Sequence, residues 1–183
     1  MIPKPRATAE DLARVPENGK AELVGGELRL MSPTGGMPGR ASGKIYASLL
    51  RHEEEQGEGY ALPDNVGFLV DLPDRQSFSP DAAWYTGPTI DMSFVEGPPA
   101  FVVEVRSEGD YGPAAEREIE AKIADCFAAG TKVVWDADLL SADRVRKFNF
   151  DHPHEPTIFR EGEIADAAPA VPGWRFEVKK LLR

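Results

Sequence analysis

Apolar positions along the chain fall into two periods. Short alternating or continuous runs recur at AELVGGELRLM (21–31), NVGFLVD (65–71), DAAWYT (81–86), AFVVEV (100–105) and TKVVWD (131–136), the pattern of strands. In the first run Gly25-Gly26 supplies a hairpin turn between two short apolar pieces. Residues 38–55 read as a helix: at about 100° per residue Ile45, Tyr46, Leu49 and Leu50 share one arc. A second helix is predicted over 113–129, opening on Pro113 and closing at Gly130. A short one over 8–15 follows from Thr8-Ala-Glu-Asp, an N-cap with acids in the first turn. Near the end, DRVRKFNF and PTIFRE predict a meander, and PGWRFEVKKLLR a strand or short helix closing the core. Strands before and after the 113–129 helix imply an α/β fold, of α+β or mixed-sheet type, with one strand–helix–strand crossover at 100–136.

One position breaks the pattern. Glu104 stands inside the apolar run Phe101–Val105. Burying a carboxylate without a partner costs several kcal/mol, on the order of a buried charge left uncompensated, so it requires an answering charge. A second acid, Asp81, follows Pro80 and opens another apolar strand. Two carboxylates on neighbouring strands, with the carbonyl of Val105, form an oxygen set suited to magnesium, which takes few protein ligands and keeps water. A nearby cation would orient water and stabilise charge on a phosphate. Arg106, two residues past Glu104, and Lys122, on the following helix, are the candidates. Structural alternatives stand beside each. Asp81 reads equally as a turn aspartate, Glu104 as an ion-pair partner of Arg106 or Lys122, and Lys122 as a solvated partner of Glu118.

Composition narrows the class. With 183 residues the chain is most simply one domain (1–183), large enough to bury roughly 70% of its unfolded surface. A net charge of −10 disfavours a constitutive, sequence-independent nucleic-acid coat but does not exclude a nuclease with a local binding groove. On the 38–55 helix, Arg40, Lys44 and Arg51 lie within roughly 40° of each other, a stripe that could grip phosphates or simply face solvent. No apolar run approaches membrane-spanning length, and MIPKPRATAEDL lacks the apolar core of a signal peptide, so a cytoplasmic protein is expected. A lone Cys126 excludes an intramolecular disulfide and a cysteine zinc site. SPTGGMPGRASGK fails as a phosphate loop, because the required glycine is missing and Ile45 follows Lys44. His52, His152 and His154 lack metal-ligand spacing, and Trp84, Trp135 and Trp174 read as core.

Pro-Asp followed by Glu-x-basic is the signature of the PD-(D/E)XK nuclease superfamily. The order AELVGGELRLMSPTGG, SPDAAWY, FVVEVRSEGD, EREIEAKIADCFAAGTKVVWDAD and PGWRF resembles the Uma-type restriction endonucleases of that superfamily. The resemblance implies a restriction-endonuclease-like fold, a central mixed sheet flanked by helices, and metal-dependent hydrolysis of phosphodiester bonds in DNA. It implies Mg2+ or Mn2+ as cofactor, DNA as partner and a homodimer as a plausible assembly. Asp81 and Glu104 match its metal-binding acids, with the Val105 carbonyl as third ligand. In these relatives the lysine stands on the next helix, eight residues before its closing glycine, which selects Lys122 ahead of Gly130 and demotes Arg106. Glu22 matches an N-terminal glutamate that assists at the same site. The chain departs from the pattern at Pro38, where relatives often carry histidine, and at Cys126, where they often carry an aromatic residue. The contrasting expectation is a nuclease-fold protein without catalysis, serving in protein interaction or regulation.

Overall fold

The computed structural model describes residues 6–15 and 19–182; Arg183, at the end of the predicted closing segment, lies outside them. Parallel pairing at its centre organises the main sheet. Strand β8 (Phe101–Val105) runs parallel to β9 (Val133–Ala137), joined through helix α3 (Pro113–Ala129). The remaining neighbours are antiparallel, giving the order β11-β10-β9-β8-β6-β3, with β3 at Tyr60–Pro63, β6 at Ala82–Tyr85, β10 at Val145–Asn149 and β11 at His152–Phe159. This mixed sheet flanked by helices is the expected class, and the crossover at 100–136 is present.

Side-chain alternation assigns the two faces. Phe101, Val103 and Val105 of β8, with Trp135 of β9, pack against helix α2 (Gly36–Gln56) through Ile45 and Leu49. The same layer holds Trp174 and Phe176 of the hairpin β12 (Ile164–Ala167) and β13 (Val171–Glu177). Val102 and Val134 point the other way, onto Ile123, Cys126 and Phe127 of α3. Residues of even number on β8 therefore face α3, and Glu104 is the next of them after Val102. All three tryptophans are buried in the core, as their strand contexts predict.

Helix α1 (Ala9–Ala13) carries the expected Thr8 cap, reciprocated by Asp11. The predicted hairpin is β1 (Lys20–Val24) and β2 (Glu27–Met31), with Gly25 and Gly26 at φ 61° and 76°, a turn conformation costly for other residues. Other segments differ from expectation. Of 65–71 only Phe68–Leu69 (β4) forms a strand, in a small sheet between β5 (Ser77–Phe78) and β7 (Val95–Glu96). The outer strand beside β6 is instead β3, immediately after the Gly57–Gly59 turn. The closing segment is both alternatives in succession, β13 and then a 3-10 turn at Val178–Leu181.

Candidate active site

The C-terminal ends of parallel strands leave backbone and side chains facing a crevice, the usual ligand position in open α/β sheets. Here that end carries Glu104, facing α3, and the helix returns Lys122 to meet it. Lys122 Nζ lies 2.9 Å from Glu104 Oε1 and 2.9 Å from Glu22 Oε1. The lysine is turned inward, with its side chain 19% exposed. It pairs with these two acids rather than standing in solvent beside Glu118.

Asp81 approaches from the neighbouring antiparallel strand end. Its backbone N–H donates to the Val103 carbonyl at 3.0 Å, and its Oδ2 accepts the Val105 N–H at 2.7 Å. Because N–H and C=O of one strand residue point to the same side, the Val105 carbonyl is directed toward Asp81 as well. Lys20, on β1, donates to Asp81 Oδ1 at 2.9 Å and to Asp64 Oδ1 at 2.7 Å. Glu104 Oε1 is itself buried and is met by the Lys122 ammonium alone, although the side chain reaches the crevice at 26% exposure.

Glu22 is deeper. Its Oε2 accepts from Arg75 Nη1 at 2.6 Å and its Oε1 from the Ser79 N–H at 2.9 Å. Arg75 is held in turn by Asp125 Oδ2 at 2.8 Å. Sequence reasoning missed both Lys20 and Arg75. Lys20 had a readable signal, because it stands two residues from Glu22 on β1 and so faces the same side. Arg75 lies between strands, where no periodicity marks it.

Five carboxylates (Glu22, Asp64, Asp81, Glu104, Asp125) thus meet three cations (Lys20, Arg75, Lys122), leaving two negative charges in excess. Glu104 registers the imbalance. Burial, with Asp81 and Glu22 nearby, raises its carboxyl to about 7 against the opposing pull of Lys122. Lys122 moves the other way from a normal buried amine. Its desolvation is outweighed by Glu104 and Glu22, which drive its pKa above the ordinary lysine value and keep it an ammonium.

Arg106 does not join this group. Its guanidinium forks onto Asp136, with Nε–Oδ1 at 2.8 Å and Nη2–Oδ2 at 2.9 Å, and onto both oxygens of Glu116. At 5% side-chain exposure, with four of its five donors committed to two carboxylates and Asp138 Oδ2 4.0 Å from Nη1, it is turned away from a nucleic-acid phosphate. The alternative pairing of Glu104 with Arg106 is likewise not what forms. Lys44 donates to the Lys180 carbonyl at 2.9 Å, and Arg40 is exposed on α2; neither lines the crevice.

The crevice measures about 1110 Å³ and runs from β2, the 32–35 loop and the first turn of α2 across the cluster to the 106–111 and 139–140 segments. Its rim is wide and carries exposed Leu30 and Leu140. Pro38, at the position where a histidine was expected by resemblance, sits on this rim in the first turn of α2. Among the described residues no three His, Cys, Asp or Glu side chains gather as a metal cage, so any ion here would use two carboxylates and backbone oxygen. No helix among the described residues is long and apolar enough to cross a membrane.

Comparison with known proteins places this architecture. The Uma2 family, described as "Putative restriction endonuclease", matches the chain over residues 8–179. The chain is similar to a solved structure described as a putative nuclease belonging to DUF820 from Anabaena variabilis. That likeness has a TM-score of 0.74 at 15% identity, covering 96% of this chain and 97% of the other. No curated protein matches the chain.

Proposed function

Because the chain belongs to the Uma2 family of restriction-endonuclease-like proteins, we propose that it hydrolyses phosphodiester bonds of DNA with a divalent metal ion held by Asp81, Glu104 and the Val105 carbonyl. The observation that carries this reading is Lys122, drawn off the solvent face of α3 into contact with Glu104. The neighbouring structural pair Arg106–Asp136 is closed off at 5% and 2% side-chain exposure, whereas Lys122 and Glu104 keep 19% and 26% and border the crevice.

The donor set fits magnesium or manganese. It consists of hard oxygens, it sits in a cluster whose five carboxylates outnumber its three cations by two, and Glu104 Oε1 is met by Lys122 alone. A bound ion would polarise the phosphate and lower the pKa of a water. The chain's own residues do the rest. Asp81 is fixed by the Val105 N–H, so its other oxygen, on which Lys20 rests, keeps one direction. Lys122 remains protonated, so it acts as a donor to the attacking water or to charge developing on the phosphate, not as a base. Glu22, anchored by Arg75 and Ser79, positions Lys122. The wide rim suits a polymer better than a small phosphoester, which a closed pocket would enclose.

Nicking of supercoiled plasmid DNA tests the reading. Cleavage should require Mg2+ or Mn2+, stop on chelation, and be lost in Asp81→Asn. Equal nicking by wild type and Asp81→Asn, or nicking that survives chelator, would overturn it.

The raised Glu104 carboxyl gives a second expectation, for the protein without metal. A carboxyl whose pKa is higher in the folded than in the unfolded state adds stability that is full below about 4.5 and is lost as pH rises through about 7. Stability of the wild type relative to Glu104→Gln should therefore fall across this window, by an amount on the order of 3 kcal/mol. Added Mn2+ should restore the wild type and leave the variant unchanged. Urea unfolding at several pH values checks it, and parallel profiles for the two proteins would contradict it.

A further inference from the structure

Two ammonium groups flank the paired acids, and only one has a role so far. Lys122 belongs to Glu104. Lys20 stands on the other side, 2.9 Å from Asp81 Oδ1, on the one Asp81 oxygen not committed to the Val105 N–H. It simultaneously holds Asp64 Oδ1 at 2.7 Å. Asp64 ends its segment just after β3, where the same oxygen accepts the Asn65 N–H at 2.7 Å, so this second carboxylate is itself fixed in place. The Lys20 side chain is largely covered, and the Asp81 and Glu104 charges both stabilise its ammonium. One cation is thus shared between a candidate metal ligand and a carboxylate outside the ligand set.

We propose that Lys20 is a resident counter-cation for Asp81, which yields that oxygen to the incoming metal ion and is then retained by Asp64. The inference rests on the metal reading above. Without an ion, Asp81 and Glu104 would repel each other at the strand ends, and Lys20 holds the Asp81 side of the pair neutral. When a divalent ion arrives at the Asp81 oxygen that Lys20 holds, like-charge repulsion at a few ångströms drives the ammonium away from it. Asp64 lies within reach of the same lysine, so the displaced charge keeps a partner without entering solvent. Lys20 is in this sense a positioning residue. It sets how strongly the site resists metal, and Asp64 sets how readily the lysine leaves.

The two residues therefore have opposite effects on metal affinity, with Asp64 acting through Lys20. Titration calorimetry with Mn2+ at pH 8 on the full chain reads this without reference to cleavage. Lys20→Gln should bind Mn2+ about three- to tenfold more tightly than wild type, the scale of one part-exposed ion pair. Asp64→Asn keeps the acceptor for Asn65 but removes the charge that receives the lysine, and should bind about threefold or more weakly. A general field of the two charges would give the same signs, so the decisive measurement is the double variant. In the Lys20→Gln background, Asp64→Asn should change affinity less than about twofold, because the lysine it acts on is gone. Additive effects in the double variant, or a Lys20→Gln protein that binds as wild type or more weakly, overturn the proposal while leaving the metal site standing. Wild type that binds no Mn2+, or Asp81→Asn that binds it equally well, overturns the metal reading and this inference with it. Thermal unfolding of each variant shows that the affinities refer to folded protein.

Discussion

Replacing Lys122 by methionine is expected to reduce metal-dependent DNA cleavage by about 10²-fold or more, the usual cost of removing one preorganised donor from a site of developing charge. Methionine keeps most of the length of the lysine stem, so the packing of α3 against the sheet survives while the ammonium is lost. The effect divides into two parts that can be separated. The ammonium lowers the Glu104 pKa from an even higher value, so its removal favours protonated Glu104 and weakens the carboxylate as a metal ligand near neutral pH. Measured at about pH 8 and saturating Mn2+, that part is removed, and the residual loss reports the donor itself. Glu22→Gln acts through Lys122 and should lower the rate in the same direction by a smaller factor, because Arg75 and Ser79 still hold the side chain that replaces it. Single-turnover cleavage of plasmid DNA provides the rates. A Lys122→Met protein within about threefold of wild type under these conditions would remove the lysine from the chemistry.

Which parts of this arrangement are readable in sequence follows from how each residue is used. Strands β6 and β8 are legible because burial on both faces makes them continuous apolar runs, and helix α3 because Pro113 and Gly130 mark its ends. The 65–71 run misleads for a physical reason. Its apolar residues serve a small side sheet in which only Phe68 and Leu69 pair. Strand β3 is four residues long and contains Pro63, so propensity argues against it, yet as the outermost strand beside β6 it tolerates the proline. The β12–β13 hairpin begins with Ile164-Ala-Asp-Ala, too small and mixed to form an apolar run, although Ala165 and Ala167 are buried. At the site, Asp81 and Glu104 declare themselves as acids at strand positions, and Lys122 through its spacing to Gly130. Lys20 is marked only by its alternation with Glu22 on β1, and Asp64 and Arg75 become visible only when the loops around β3 and β5 are folded onto the sheet end, because their partners are distant in sequence.

Arg106 occupies the spacing at which the superfamily signature places its cation, and the largest stability effect is expected there rather than any effect on the chemistry. Glu104 and Asp136 stand side by side in the parallel register of β8 and β9, both facing α3. Two buried carboxylates on adjacent strands need separate counter-charges. Lys122 answers one, and Arg106 answers the other, with Arg146 adding a bond to Asp136 Oδ2 at 2.7 Å. The same fork ties Glu116 on α3 to the sheet and holds its carboxyl down at about 2. Arg106→Ala would leave Asp136, almost wholly buried, dependent on a partly exposed Arg146. Breaking a buried pair from one side costs about 3–5 kcal/mol, since the remaining charge stays desolvated. Urea unfolding should therefore show a loss of that order in Arg106→Ala. Arg106→Lys, which keeps the charge but cannot fork onto two carboxylates, should lose part of it. Cleavage per folded molecule by Arg106→Lys, and its dependence on salt concentration, should match wild type. A loss below about 1 kcal/mol in Arg106→Ala would contradict the structural role, whose expected cost is several times larger. A shallower salt slope for the folded fraction of Arg106→Ala would return this arginine to the phosphate, because each charge on a phosphate contributes its own increment to that slope.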